Sequence, residues 1–218
     1  MRQTLVIKFK VWGALSYLSH HETVSMFQRG LVRAGVELCY TEGFNPRPRL
    51  SLPLPRSVGV CSEAEMLYAL VSVGVTADGG RLQEGVGEQL PLGCEVTGIE
   101  LEDGKVSYRA EWAEYEFGLG DMVGNSEFKS DFERFSSSLK AGERFYVERR
   151  KGERGECKRI DVSGYIETAE LKGECVLIRC SITPSGSVRI DELLGLLGVE
   201  REQLSGPIRR IAVGWRKN

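Results

Sequence analysis

The first residues suited to chemistry are Ser19-His20-His21-Glu22, which include both histidines of the chain. The macrodipole at a helix N-terminus disfavours positive charge, so an imidazole there stays neutral and is able to act as a general base. The alternative is structural, with Ser19 and Glu22 capping the helix while the histidines face solvent. His20 and His21 are therefore the candidate catalytic residues if the protein is an enzyme. Neighbouring histidines point to different sides of a helix, so no metal site is predicted here.

The second such group is the proline-stiffened segment Gly43-Phe44-Asn45-Pro46-Arg47-Pro48-Arg49-Leu50. Arg47 and Arg49 are two residues apart, so their side chains project to the same side of an extended segment. Guanidinium groups interleaved with aromatic rings suit phosphate contacts and base stacking in single-stranded RNA. Two alternatives stay open: a structural loop whose arginines pair with Glu37 and Glu42, and a protein interface. The candidate nucleic-acid or partner contacts are Ser19 and His20 of the first motif and Tyr40, Phe44, Asn45, Arg47 and Arg49 of this segment.

Further basic residues extend these candidates. Arg29 and Arg33 lie one turn apart on the helix that follows the histidines, and we expect them to contact phosphate beside the segment. Residues 140–159 carry eight Lys or Arg against four Asp or Glu, around a glycine-rich tip at residues 152–155. This second basic stretch is interpreted either as a solvated face or as another nucleic-acid contact.

A strand and a helix must position the first motif. Alternate residues from Leu5 to Val11 are apolar, which predicts a strand with one buried face. Residues 20–34 change to helical periodicity. Ser19 and Glu22 form a capping box before this helix, and Gly35 supplies its C-terminal stop.

The order of elements in the first half recurs in the second half. After the first strand and helix, the first half has extended segments at 37–41 and 49–54, a strand at 65–73, a helix at 77–90 and a strand at 94–101. A turn at residues 102–104 follows. The second half has a strand at 106–117, a helix from 126, strands at 144–149, 159–166 and 175–183, a helix at 190–197 and a strand at 208–215. The prediction is an α+β protein with two tandem ferredoxin-like (split βαβ) domains, residues 1–103 and 104–218, each an antiparallel sheet with helices on one face.

Composition narrows the class of protein. The chain has 218 residues, of which 41% are hydrophobic and 28% charged, as in globular proteins. The net charge of −2 conceals a basic region, because residues 1–60 hold eight Lys or Arg against three Asp or Glu. No apolar run approaches the roughly 18 residues of a membrane span, and no signal peptide is predicted, so we expect a cytoplasmic protein that does not contact the membrane.

The six cysteines have neither the spacing of a zinc knuckle nor the triplet that holds a radical-SAM iron–sulfur cluster. We interpret them as small buried hydrophobic residues in a reducing compartment. No cofactor is predicted for this chain.

Residues of both motifs also resemble one bacterial family. Leu18-Ser19-His20, Arg33-Ala34-Gly35, Tyr40, Gly43 to Ser51, Pro53 to Pro55 and Gly59 resemble the radical-SAM-linked protein family, over residues 5 to about 70. In that family the serine and histidine are typically followed by leucine and aspartate, whereas His21 and Glu22 stand here. The resemblance implies a partner, a cobalamin-binding radical-SAM protein encoded beside or fused to the family domain, and it implies an RNA context.

Three functions follow as hypotheses. The leading one is a non-catalytic accessory module that binds RNA, or a partner radical-SAM enzyme, in RNA modification or processing. The second is a metal-independent endoribonuclease using His20, since tandem ferredoxin-like domains with a histidine near the first helix are similar to the CRISPR repeat-processing ribonucleases. The glycine-rich C-terminal loop of those enzymes is missing, because residues 204–207 are poor in glycine. The third is a pure protein-interaction subunit whose basic face meets an acidic partner.

Overall fold

The computed structural model describes residues 2–72, 79–150 and 155–218 of an α+β protein. The first set of elements is β1 (Arg2–Val11), α1 (His20–Arg33), β2 (Leu50–Ser51), β3 (Val60–Ser72), α2 (Gly79–Glu88) and β4 (Cys94–Asp103). The second set is β5 (Tyr108–Gly118), α3 (Ser126–Lys140), β6 (Tyr146–Arg150), β7 (Cys157–Asp161), β8 (Ile166–Lys172), β9 (Cys175–Ser181), α4 (Ile190–Leu197) and β10 (Ile208–Lys217). None of the helices within these described ranges is both long enough and apolar enough to cross a membrane.

The chain divides into two compact units. Unit 1 comprises Met1–Ala110 with Trp215–Asn218, and unit 2 comprises Glu111–Gly214. The predicted boundary between residues 103 and 104 lies in the connection between β4 and β5, and the domain limits 1–103 and 104–218 stay a prediction.

Unit 1 has the element order of a split βαβ unit, β1-α1-β2-β3-α2-β4. Its strands lie in the order β4-β1-β3, and the short β2 also pairs with β3. All three of these pairings are antiparallel; Leu5, for example, lies opposite Ala69 on β3 and Leu101 on β4.

The core of unit 1 lies between this sheet and its two helices. Alternate residues of the strands point into it, as the period of two requires. The cluster includes Leu5, Ile7, Phe9 and Val11 of β1, Leu67, Ala69 and Val71 of β3, Phe27 and Leu31 of α1, and Leu82 and Val86 of α2. The prediction of a single buried face on β1 was wrong at Val6, which is also fully buried, because the opposite face of the strand is covered at that position.

α1 forms because its apolar side chains recur at helical spacing and because both of its ends are capped. Met26, Phe27 and Leu31 are buried, and the ring of Phe27 lies 4.4 Å from that of Phe9. Gly35 takes a φ of +75° just past the helix, a left-handed conformation that glycine adopts at little cost.

Unit 2 has the strand order β10-β5-β9-β8, with a separate two-stranded sheet formed by β6 and β7. β5 pairs antiparallel with β9, and β9 with β8. The single strand predicted at 159–166 was wrong, because a short 3-10 turn at Ser163–Tyr165 separates β7 from β8. The inserted β6–β7 hairpin is therefore an addition to the order seen in unit 1.

Candidate functional site: a basic hairpin and the cavity at its base

The motif segment forms a hairpin, residues 39–49, between α1 and β2. The base is fixed by the backbone, since the N–H of Cys39 donates to the carbonyl of Leu70 on β3 at 2.8 Å and that of Arg49 to Cys39 at 2.7 Å. Farther out, the N–H of Thr41 donates to the carbonyl of Arg47 at 2.8 Å, and the N–H of Arg47 donates to Thr41 Oγ1 at 2.9 Å. These bonds close the tip without using any side chain of the predicted contacts.

The tip of hairpin 39–49 presents aromatic and basic side chains to solvent. Phe44 is fully exposed at 106%, and Tyr40 is 45% exposed. Asn45 and Arg47 are exposed as well. A fully exposed phenylalanine on a closed hairpin contributes no packing to the fold, so both faces of its ring are accessible to a ligand.

Arg49 differs from Arg47 because its side chain turns back to the base of the hairpin. It is half-buried, and its Nε donates to the backbone carbonyl of Tyr40 at 3.2 Å. This bond uses one of the five guanidinium donors and leaves the terminal nitrogens without a bond to any of the described residues.

The two arginines predicted on α1 are in different situations. Arg33 donates from Nη2 to the backbone carbonyl of Gln89, at the C-terminal end of α2, at 2.6 Å. That contact satisfies a helix-end carbonyl and gives Arg33 a structural partner. Arg29 is exposed one turn earlier on α1. The phosphate contacts predicted for both stay predictions.

Ser19 and Glu22 form the capping box that the sequence predicts. The Glu22 N–H donates to Ser19 Oγ at 3.3 Å, and the Ser19 N–H donates to Glu22 Oε2 at 2.8 Å. The hydrogen bonds with Ser19 hold the pKa of the Glu22 carboxyl below its usual range. Both residues therefore have a structural role at the start of α1.

His20 and His21 lie side by side in the first turn of α1. Their ring centroids are 5.8 Å apart in an edge-to-face arrangement. His20 is half-buried and His21 exposed. Nδ1 of His20 is buried and has no hydrogen-bond partner among the described residues. No group of three or more His, Cys, Asp or Glu placed to hold a metal ion occurs in the described part of the chain.

The histidines and the hairpin belong to opposite ends of α1. The histidines are at its first residues, whereas the chain reaches the hairpin base only after Arg33, through Leu38, which pairs with Val71. A helix of 14 residues is about 21 Å long. The hairpin is therefore anchored near the end of the helix opposite to the histidines.

Arg56 holds the loop before the histidines and was missed by sequence reasoning. Its buried guanidinium donates to the carbonyls of Ser16 at 2.5 Å, Val60 at 2.7 Å and Leu15 at 3.1 Å. These bonds tie the segment that precedes α1 to the start of β3. No local sequence pattern predicts this role, because two of the three partners, Leu15 and Ser16, lie about 40 residues before Arg56 in the chain.

A cavity of about 230 Å³ lies at the base of the hairpin, within unit 1. Its lining residues are Thr4, Arg49, Leu50, Ser51, Tyr68, Leu70, Lys105 and Val106. They come from β1, the hairpin with β2, β3 and the turn after β4, so the fold brings them together. Arg49 is the only one of them named as a site residue from the sequence.

Backbone pairing explains why Thr4, Ser51, Tyr68 and Leu70 share one face of the sheet, whereas Leu50 lies opposite Ala69 and packs against the helical core. Thr4 lies opposite Leu70, and Ser51 opposite Tyr68. Their side chains point to the face of the sheet opposite to that of Ala69 and Val71, which point into the core between the sheet and the helices. The cavity therefore opens on the sheet face away from α1 and α2.

The turn beside the cavity is fixed by Thr4, whose side chain is almost fully buried. Its hydroxyl donates to the carbonyl of Gly104 at 2.8 Å and accepts from the N–H of Val106 at 3.0 Å. Lys105, between these two residues, is exposed and lines the cavity.

The acidic residue Glu102, on the strand before the cavity turn, is paired with a lysine and a tyrosine. Glu102 accepts from Lys217 Nζ at 2.7 Å and from the Tyr108 hydroxyl at 3.1 Å, and these bonds lower the pKa of its carboxyl. Burial, followed by the bond to Glu102, raises the pKa of Tyr108. The ring of Tyr108 lies 5.9 Å from that of Tyr68, so this paired group borders the cavity.

The second basic stretch is partly structural. Arg149 makes a bidentate pair with Glu192 of α4, at 2.6 and 2.8 Å, and the guanidinium of Arg159 lies 4.0 Å from the centroid of the Tyr146 ring. Lys151 and Arg154 fall outside the described residues. The role of this stretch in nucleic-acid binding stays a prediction.

The cysteines vary in burial. Cys61 and Cys180 are buried, but Cys157 is exposed and the other three are intermediate, so the interpretation of all six as buried hydrophobic residues was too broad. Burial raises the pKa of the Cys94 and Cys180 thiols to about 12, which keeps both protonated and unreactive.

Comparison with known proteins identifies a family but no activity. Residues 4–190 match the model of a family described as uncharacterized protein conserved in bacteria, DUF2344. Comparison with curated proteins found no match. Among solved structures, the regulatory subunit of aspartate kinase from Thermus flavus aligns over 90% of each chain with 9% identity and a TM-score of 0.23. That similarity is too low to support a conclusion about fold or function.

Proposed function

This chain belongs to the bacterial family DUF2344, and we propose that it is a non-catalytic accessory module that binds single-stranded RNA through hairpin 39–49. The proposal is based on the exposure of Phe44 and Arg47 at the tip of the closed hairpin. An aromatic face stacks on a base while a guanidinium contacts phosphate, and neither needs a particular base.

We also propose that each unit is a ferredoxin-like domain, so that the chain contains two in tandem. The split βαβ order of unit 1 supports this. The strand orders support it too, because β4-β1-β3-β2 in unit 1 and β10-β5-β9-β8 in unit 2 are both the order fourth, first, third, second when each unit's strands are counted along the chain without β6 and β7. Ferredoxin-like modules that bind RNA commonly use aromatic residues for base stacking.

The proposed partner is a cobalamin-binding radical-SAM protein that modifies RNA. This part of the proposal rests on the resemblance in residues 18–59 to the radical-SAM-linked family. Purification of the tagged chain from native cells, with identification of bound protein and RNA, tests it. Recovery of the radical-SAM protein without RNA favours the protein-interaction subunit instead.

A double substitution at the hairpin tip tests RNA binding. Phe44→Ala with Arg47→Ala removes one stacking platform and one phosphate contact, while the hairpin keeps its backbone bonds. We expect affinity for a short single-stranded RNA to fall at least tenfold, and the log–log salt slope to decrease by about one. The measurement is fluorescence anisotropy at several salt concentrations.

The matched control is Arg81→Ala, which removes an exposed arginine from α2 and the same charge. It should change RNA affinity by less than the double substitution at every salt concentration. Equal losses in the two proteins would mean that the RNA responds only to net charge, and the hairpin would then have no specific role.

A second candidate function is a metal-independent endoribonuclease that uses His20, a half-buried residue in the first turn of α1. A general base must come within hydrogen-bond reach of the proton that it removes from the RNA. Incubation of RNA with the protein in chelator tests this activity. Cleavage that His20→Ala abolishes supports the enzyme, whereas binding without cleavage supports the accessory module.

A further inference from the structure

The cavity at the hairpin base has the chemistry of a site for one phosphorylated nucleoside. Two of its lining residues are the cations Arg49 and Lys105, and no Asp or Glu stands among the described residues that line it. The remaining lining is divided between hydroxyl groups and apolar side chains. A ligand that fits must therefore combine an anionic end with a flat or apolar body.

The polar groups around the cavity are available to a ligand. Ser51, Tyr68 and Lys105 make no side-chain hydrogen bond to any residue in the described ranges, and only Nε of Arg49 is engaged. Half-buried hydroxyl and guanidinium groups normally form hydrogen bonds, here with water, and a ligand that binds can replace that water. Three such groups, together with the exposed ammonium of Lys105, are a set of donors for phosphate and sugar oxygens around one cavity.

The apolar half of the cavity suits a base. The ring of Tyr68, with Leu50, Leu70 and Val106, supplies flat and aliphatic surface. The volume of about 230 Å³ is below the roughly 300–1,000 Å³ of sites that enclose a drug-sized ligand, so the cavity covers part of a single nucleotide unit and leaves the rest in solvent.

We propose that this cavity binds one nucleoside monophosphate unit, with its phosphate on Arg49 and Lys105 and its base against Tyr68. The inference extends the proposed RNA-binding function and rests on it in one respect. The nucleotide unit is taken to belong to an RNA strand that hairpin 39–49 holds. Arg49 connects the two surfaces, because it belongs to the hairpin and lines the cavity. A free mononucleotide has the same chemistry and is distinguished by the experiment.

The experiment titrates the full chain with AMP, adenosine and inorganic phosphate separately by calorimetry, and with a short single-stranded RNA by anisotropy. We expect AMP to bind more tightly than either adenosine or phosphate. Lys105→Ala should weaken AMP binding roughly tenfold, because one charge-assisted contact is lost. Tyr68→Leu removes the ring and its hydroxyl and should weaken AMP and adenosine more than phosphate, whereas Tyr68→Phe keeps the stacking surface and should weaken them less.

Lys10→Ala is the matched control, because it removes one lysine from unit 1 outside the cavity. It should leave AMP binding unchanged. Thermal unfolding of each variant checks that the fold is retained; Lys105 is exposed in a turn, so its truncation is expected to be tolerated.

The outcomes separate the cavity from the hairpin. If Lys105→Ala weakens both AMP and RNA, the cavity holds a nucleotide of the strand; if it weakens AMP alone, the cavity takes a free mononucleotide. RNA binding without AMP binding, and without an effect of Lys105→Ala, overturns the cavity site and leaves the proposed function intact. AMP binding without RNA binding supports the cavity and overturns the proposed function.

Discussion

At the scale of single residues, roles that depend on near neighbours in the chain were predictable. The Ser19–Glu22 capping box requires only a spacing of three and a following helical pattern, and it forms as expected. Arg49 shows the limit of such reasoning, because its side chain turns to Tyr40 and the cavity rather than projecting with Arg47. Side-chain direction at that position is decided by the hairpin base on β3.

Position 214 on β10 requires glycine because the ring of Trp112 leaves no room for a side chain. A Cβ built there would overlap Nε1 of Trp112, whose ring lies directly on the glycine. We expect Gly214→Ala to lower the free energy of unfolding by about 1–3 kcal/mol, since the ring must move. Urea denaturation followed by circular dichroism measures the change.

Gly85→Ala on α2 is the matched control, since a Cβ there meets no atom within 4 Å. It should raise the free energy of unfolding by roughly 0.5–1 kcal/mol, because alanine loses less backbone freedom in a helix. Destabilisation of similar size in both variants would show that the Trp112 contact does not decide the effect.

At the scale of elements, apolar periodicity and caps predicted the helices and most strands. α3, predicted from Ser126, begins there and buries Phe128, Phe132 and Phe135 on one side. The division of residues 157–172 into β7 and β8 was missed, because the separating turn is short and carries no proline. A polar strand with two exposed faces also gives little periodic signal.

The β6–β7 hairpin and α4 are joined by the pair between Arg149 and Glu192. Burial alone would raise the pKa of the Glu192 carboxyl, but hydrogen bonds from Arg149 and from the N–H of Arg189 outweigh it, so this pKa lies below its usual range. A carboxyl whose pKa is lower folded than unfolded stabilises the fold above its unfolded pKa, about 4.3, and this stabilisation is lost as the pH falls through the folded value.

We expect Glu192→Gln to lower the free energy of unfolding by about 1–3 kcal/mol at pH 7, because Arg149 loses its charged partner. The difference from the parent protein should shrink as the pH falls below about 4.3. Denaturant unfolding across pH measures it. Glu148→Gln, at an exposed glutamate on β6, should change stability by no more than about 0.5 kcal/mol. A pH-independent difference for Glu192→Gln would contradict the assignment.

At the scale of the whole molecule, residues from the two ends of the chain belong to the same unit. Trp215–Asn218 are part of unit 1, although the sequence places them in the domain 104–218. Within that unit Lys217 pairs with Glu102, and the N–H of Asn218 donates to the carbonyl of Ser107 at 2.9 Å. A boundary read from a turn does not reveal that the last residues return to the first half.

Deletion of residues 215–218 tests this membership. The loss of the backbone hydrogen bond from Asn218 to Ser107 and of the Lys217–Glu102 pair should cost about 1–2 kcal/mol, which corresponds to a decrease in Tm of roughly 2–8 °C. Lys217→Ala alone should cost less than about 1 kcal/mol, since the ion pair is largely exposed. If the deletion leaves Tm unchanged in differential scanning calorimetry, these residues do not stabilise unit 1.

The features that depend on short spacings were predictable from the sequence: the period of the strands and helices, the caps of α1, and the grouping of arginines with aromatic residues in hairpin 39–49. Tertiary structure decided what depends on pairing between distant segments. The cavity draws Thr4, Tyr68 and Lys105 to Arg49 from four places in the chain, and Arg149 meets Glu192 across 43 residues. Such neighbours are set by strand register and by the common burial of apolar faces, and no local pattern records which distant segment will be adjacent.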